Sequence, residues 1–202
     1  MSGLPVKRRQ KRQSESRPTR ERLIRAGVLL FQSSGYHGTG VNEILERAKA
    51  PKGSFYYHFP GGKEELAVAA VGWLQHEVTL FLDELSAAGA ASTAMVEGIA
   101  RHAAEGIRKG GRTRGSLIAV LAQDVASDSS LVAIAIKEFA SAIRCRIAKA
   151  HAEDFPEDDA FAFADQAMAM IEGASVLAQV AGKADLAVDV VRLWLRESIE
   201  NR

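Results

Sequence analysis

The chain has 202 residues, 47 % hydrophobic and 25 % charged, with a formal net charge of +1, the composition of an ordinary globular protein with room for one large domain or two small ones sharing a core. No apolar run reaches the roughly 18–20 residues of a membrane helix, and the basic N-terminus lacks the apolar stretch of a secretory signal, so a cytoplasmic protein with no membrane partner is expected. The near-neutral total hides a split: up to Lys63 there are 13 Lys and Arg against four acids, and beyond it 13 against 21, so one end is suited to a polyanion and the other is not.

Residues 1–16 carry the run Lys7-Arg8-Arg9-Gln10-Lys11-Arg12 and almost nothing apolar. Such a segment cannot bury a core and is expected to be disordered in isolation. Two readings stand for it: an arm that touches DNA, or a solvated tail. Thr19 offers a cap for a first helix, in which Leu23, Gly27, Leu30 and Phe31 recur at helical spacing up to Ser33-Ser34-Gly35. A turn-rich link, Tyr36 to Gly40, leads to a short second helix marked by Val41, Ile44, Leu45 and Ala48, with Thr39 as the expected cap. Lys49-Ala50-Pro51 breaks the chain. Proline suits the first turn of a new helix, because its missing N–H would be unpaired there anyway. A third short helix is therefore expected from about Pro51 to Phe59, ending before Pro60-Gly61-Gly62.

From Lys63 a long amphipathic helix runs to about Leu85, with Leu66, Ala70, Trp73, Leu80 and Phe81 on its expected buried side. Further helices are expected over about 92–109, 117–126, 130–151, 157–181 and 185–199. Cys145, the single cysteine, lies on an apolar-periodic segment and reads as a small buried hydrophobe. No segment alternates with period two, so no sheet is expected. The fold class is all-α, with about nine helices.

Two short helices joined by a three- or four-residue turn in a basic region are the parts of a helix-turn-helix. At about 100° per residue, Phe55 and Phe59 share one face of the third helix and should pack on Phe31, Ile44 and Leu45. The opposite face then carries Gly53, Ser54 and Tyr57, with Tyr56 on its flank and Lys52 in the first turn. Hydroxyl and ammonium donors with little aliphatic bulk suit a major groove, and Gly53 permits close backbone approach. Lys63, at the start of the fourth helix, is placed to hold a further phosphate.

Thr39-Gly40-Val41-Asn42-Glu43-Ile44, then Pro51-Lys52-Gly53-Ser54-Phe55-Tyr56-Tyr57-His58-Phe59, then Lys63-Glu64-Glu65-Leu66 resembles the DNA-binding signature of the TetR (tetracycline-repressor) family: Thr-Ser/Gly-Val, a helix, Lys-Gly-Ser/Thr-Leu-Tyr-x-x-Phe and Lys-Glu-Glu-Leu. The match covers about residues 17–66; the remainder matches in helix layout and length alone. The resemblance implies DNA contacts at Thr39, Lys52, Gly53, Ser54, Tyr56, Tyr57, His58 and Lys63. Two departures stand out. Lys49-Ala50-Pro51 replaces the usual Gly-Val-Ser, which strains the turn by on the order of 1 kcal/mol if position 49 is left-handed. The Pro-Gly-Gly-Lys link is one residue longer than the common form, a spelling that resembles the branch containing the LmrA and YxaF multidrug-resistance regulators.

The expected organisation is a basic arm (1–16), a helix-turn-helix domain (17–66) and a ligand-binding and dimerisation domain (67–202). One short recognition helix makes few contacts, so a homodimer on a near-palindromic operator is expected. Its candidate interface is a stripe of small residues and methionine, Ala164, Ala167, Met168, Ile171, Ala174, Ser175 and Ala178, with Val190, Leu193 and Trp194 from the apolar face that Leu186 and Ile199 complete. The resemblance implies that these last two helices pair with their twins in a four-helix bundle; intrachain core is the other reading of both stripes.

Bulky or polar residues on apolar faces, Trp73, His76, Leu80, Met95, His102, Gln123, Phe139, Met168 and Glu172, are candidates for a ligand pocket. The resemblance implies an effector that wedges against the fourth helix and weakens DNA binding. Analogy to the named branch suggests a planar, aromatic molecule. No Gly-rich phosphate loop, metal-ligand spacing or nucleophile elbow appears, so neither catalysis nor a cofactor is expected. A helical interaction protein that has lost DNA binding, and an activator of the same fold, are the other readings.

Overall fold

A computed structural model describes residues 18–110, 115–125, 130–152 and 157–200. Every element among them is helical: α1 Thr19–Ser34, α2 Val41–Ala48, α3 Lys52–His58, α4 Gly62–Ala87, α5 Ser92–Gly110, α6 Leu117–Asp124, α7 Leu131–Ala152, α8 Glu157–Ala181 and α9 Asp185–Glu200. The expected all-α class and helix order are met. The basic arm and the Ile199 side chain lie outside the described residues. Among the described residues no helix is long and apolar enough to cross a membrane.

Local chemistry sets the helix ends, though not always through the residues expected. Thr19 lies inside α1, and Pro18 takes the cap position without a side-chain bond. Thr39 does not cap α2. Gly40 does, and the Glu43 carboxylate accepts from its N–H at 3.0 Å. α2 stops at Lys49, the one non-glycine with positive φ among the described residues (φ 51°, ψ 48°). The N–H of Ala50 then returns to the carbonyl of Leu45 at 3.0 Å, closing a Schellman turn. Glycine has no Cβ penalty at such a position, so the departure at residue 49 falls on the residue that must be left-handed.

Two apolar cores form. The first joins α1, α2 and α3 to the start of α4 around Leu23, Phe31, Ile44, Phe55, Phe59 and Leu66. It does not close at residue 66: Ala67, Ala70 and Val71 of α4 and Leu117 and Leu121 of α6 belong to it. The second core, in α4, α5, α7, α8 and α9, is built from Leu82, Met95, Ile147, Phe163, Ile171 and Val191 interleaved with many alanines. At 1.5 Å per residue the 26-residue α4 is roughly 39 Å long. It contributes Leu66–Val71 to the first core and Val78 and Leu82 to the second, and so is the strut common to both.

Candidate nucleic-acid interface and ligand cavity

The basic end presents α3 edge-on. Phe55 and Phe59 are wholly buried, with ring centroids 5.8 Å apart, in the core that holds Phe31, Ile44 and Leu45. The other side of the helix is open. Lys52 and Gly53 are exposed, Tyr56 is 49 % and Tyr57 82 % exposed, and Ser54 and His58 are half-buried. A Cβ at Gly53 would meet nothing within 4 Å, so no internal packing requires that glycine. The edge of Tyr56 rests on Phe55. The Tyr56 ring thus rests on the core while about half of the residue is open to solvent, and a tyrosine so placed suits a phosphate oxygen.

Two of the expected contacts are engaged internally. Thr39 is buried, and its hydroxyl donates to the Gly35 carbonyl at 2.6 Å. That carbonyl follows the end of α1, outside its hydrogen-bond ladder, and the threonine satisfies it where an outward rotamer would not. The Lys63 ammonium donates to the carbonyls of Tyr36 (2.8 Å) and Thr39 (3.1 Å) and lies 4.4 Å from the centroid of the Tyr36 ring. Lys63 therefore ties the α1–α2 link to α4. The Glu65 carboxylate takes the Gly61 N–H at 2.8 Å, which competes with any anion at that helix end. Burial, with the nearby Glu64 carboxylate adding to it, pushes the Tyr36 phenol above its ordinary value.

In the body, a cavity of about 170 Å³ opens between α4, α5, α6, α7 and α8, with Gln32 of α1 at one edge. Three pocket candidates, His102, Phe139 and Glu172, line it. The others lie elsewhere. Met95 is buried core; His76, Leu80 and Gln123 are exposed; Trp73 packs on the first core beneath Arg25 and Met168 on the second. Leu80 was expected on the buried side of α4, but it is 48 % exposed. A 26-residue helix that crosses two cores changes its buried face along its length, and a single apolar stripe misplaces such residues. Ser116, Ile118, Leu74 and Val78 also line the cavity and were missed. Nothing in their local spacing separates them from plain core.

The most unusual cavity residue is Glu172. Its Oε1 accepts from the Ser116 hydroxyl at 3.0 Å, while Oε2 is buried without a partner among the described residues. Burial pushes its carboxyl above the usual value, partly offset by the Ser116 bond. Ser116 is also the cap of α6, accepting from the Ala119 N–H at 3.4 Å. At the other end of α6, Asp124 accepts from the Tyr36 N–H at 2.5 Å, and its carbonyl lies 2.9 Å from the His37 ring. Gly35 has φ 73°, and a Cβ there would collide with the Asp124 carboxylate. One short helix thus touches the cavity at its start and the helix-turn-helix link at its end.

The expected dimer stripe is mostly internal. Ala164, Ala167, Ile171, Ala174, Ser175 and Ala178 are buried within the single chain, because small residues let α8 lie close to its own neighbours. Met168, Val190 and Trp194 are partly buried against that core, with Trp194 stacked 5.5 Å from Phe163. Of the residues named, Leu193 alone is exposed, at 59 %. The outward apolar face of α8 is another set: Phe161, Val176, Leu177 and Val180. Cys145, expected to be buried, is exposed on α7.

Comparison with known proteins matches residues 23–70 to the family described as bacterial regulatory proteins, tetR family. The HTH-type transcriptional regulator LmrA of Bacillus subtilis is 52 % identical over 60 residues, 30 % of this chain and 32 % of that protein. The uncharacterized HTH-type transcriptional regulator YxaF of the same organism is 44 % identical over 72 residues, 34 % and 38 % of the two chains. The chain thus aligns with only about a third of the length of these relatives. The crystal structure of a regulatory protein TetR from Rhodobacter sphaeroides superimposes with a TM-score of 0.77 at 27 % identity, over 88 % of this chain and 97 % of that one. The helix-turn-helix signature, its family match and the helix layout of the described residues together lead to one assignment: residues 23–70 form a DNA-binding domain of the kind described as bacterial regulatory proteins, tetR family, on a fold shared with a solved regulatory protein TetR.

Proposed function

We propose that this chain is a cytoplasmic transcriptional repressor that binds a near-palindromic DNA operator as a homodimer and leaves it when a small apolar or aromatic effector enters the cavity. The observation that carries the reading is the division of α3: phenylalanines buried, Lys52, Gly53, Tyr56 and Tyr57 turned to solvent. Lys52 reads a base edge or phosphate, Ser54, Tyr56, Tyr57 and His58 position the helix on the backbone, and Gly53 lets it approach closely. Thr39 and Lys63 hold the link that sets the angle of α2 and α3. The exposed face of α8 with Leu193 of α9 is the dimer surface, since Phe161, Val176, Leu177 and Val180 have an apolar character that water does not favour. Residues 17–66 act as the reading head and 67–202 as the body, with α4 common to both. α6 carries the signal from cavity to head, and a coupling of about 1–3 kcal/mol is enough for release.

A gel-shift titration on genomic fragments captured by the chain tests this. The double variant Lys52→Ala/Tyr56→Phe is expected to bind about tenfold or more weakly and to remain dimeric by sedimentation, as loss of contacts worth about 1–3 kcal/mol requires. Leu177→Arg is expected to lose both dimer and DNA. Affinity should fall steeply with salt as phosphate contacts release counterions. Unchanged affinity in the double variant, or a flat salt response, overturns the interface.

A further inference from the structure

We infer that the cavity ligand carries a protonated amine seated on Glu172, with a single aromatic or similarly small apolar body filling the rest. The inference rests on the ligand-responsive reading above and names the chemical class that reading leaves open. Three observations carry it. First, Glu172 Oε2 is buried and has no hydrogen-bond partner among the described residues, whereas Oε1 is held by Ser116. Glu172 lines the cavity, and a buried acceptor left unmade is costly. Second, no lysine or arginine stands among the described lining residues, so none of them gives Glu172 a counter-charge. The other ionisable lining residue is His102, which is exposed. Third, the remaining wall is mostly apolar, from Leu74, Val78, Ile99, Phe139 and Ile171, and the volume is about 170 Å³. A cavity of roughly 150 Å³ holds a benzene ring, so a one-ring ligand with a short tail is the right size.

The geometry also links this ligand to α6. Ser116 both donates to Glu172 and caps α6. An ammonium drawn to the carboxylate therefore acts on the residue that fixes the start of α6, while Asp124 at its end grips Tyr36. The expected order of events is ammonium pairing, redirection of the Glu172 carboxylate, loss or lengthening of the Ser116 bond, and a shift of α6 against the head.

The test uses the full chain and a matched series: benzylamine, phenethylamine, 3-phenylpropylamine and 4-phenylbutylamine, each against the alcohol of the same length, by calorimetry. At least one amine is expected to bind about tenfold or more tightly than its alcohol, the effect of one charge-assisted hydrogen bond. In Glu172→Gln that ratio should fall to about one or below, and Glu172→Asp should retain part of it. If Glu172→Gln fails to fold, the amine-to-alcohol ratio in the unaltered chain still decides. A ratio near one, or no amine binding at millimolar concentration, overturns the inference and leaves water as the partner of Oε2. An amine that binds through Glu172 yet leaves DNA affinity unchanged upholds the ligand class and removes the release reading. A neutral ligand that releases DNA while amines do not bind does the reverse.

Discussion

The reading head and the body solve the same packing problem with different side chains. The head core is held by a few large residues, Phe31, Phe55, Phe59, Leu23, Ile44 and Leu66, all fully buried. The body core relies on alanines such as Ala100, Ala104, Ala164, Ala167, Ala174, Ala178 and Ala187, which let long helices approach closely. A core held at a few large points has a single best arrangement and holds a surface rigidly. A core spread over many small contacts leaves room for a cavity and for helices that slide. The head is therefore suited to presenting α3 in one orientation, and the body to accepting a ligand.

The largest expected effect tests that contrast directly. Phe55→Ala should lower unfolding stability by about 3–5 kcal/mol, since a full ring leaves a void that the small head cannot close. Ala167→Leu, an overpacking change in the body, should cost less, about 1–3 kcal/mol. Denaturant titrations of the two variants settle the order, and a reversed order would mean that the head is the more adaptable unit.

A smaller effect concerns the cavity. Burial raises the Glu172 carboxyl pKa above its value in the unfolded chain. The folded state then binds that proton more tightly. The associated stability is fully present below the ordinary glutamate range and is lost as pH rises through the folded value. Glu172→Gln removes this loss. Its unfolding free energy should exceed that of the parent by about 1 kcal/mol at pH 8, where a buried acceptor is otherwise left ionised and half-paired. The difference should vanish near pH 4. A variant less stable than the parent at pH 8 would show that the carboxylate has a partner in the cavity.

The smallest effect lies in the head, at its turn. Lys49 adopts φ 51°, and Lys49→Gly should stabilise the protein by about 0.5–1 kcal/mol, the left-handed penalty less the backbone entropy of glycine. Thermal melts check the sign. Destabilisation would mean that the lysine side chain contributes more to the head than its backbone strain costs.

How much was legible follows the same division. The inward turn of Phe55 and Phe59 could be read from their four-residue spacing, and the left-handed position from a lysine standing where a glycine is usual. Thr39 was misjudged because a threonine before a helix looks like a cap whether its hydroxyl turns forward to the helix or back to the Gly35 carbonyl. Of the pocket candidates only His102, Phe139 and Glu172 reach the cavity, since a polar residue on an apolar helix face looks the same beside a cavity, in core or at the surface. The stripe expected at the dimer interface lies inside the single chain for a related reason. Ala164, Ala167 and Ala174 permit close approach by any helix, and periodicity does not say whether that helix belongs to the same chain.

What the order of residues determined by itself is the set of helices, their breaks and the inner and outer faces of α3, because these depend on contacts a few residues apart and on local backbone preference. Tertiary structure alone decided that Lys63 fastens the α1–α2 link, that α6 bridges cavity and head, and that Glu172 keeps one oxygen without a partner among the described residues. Each of these joins groups tens of residues apart, and a side chain's partner at that range is chosen by the packing of whole helices, which no local pattern encodes.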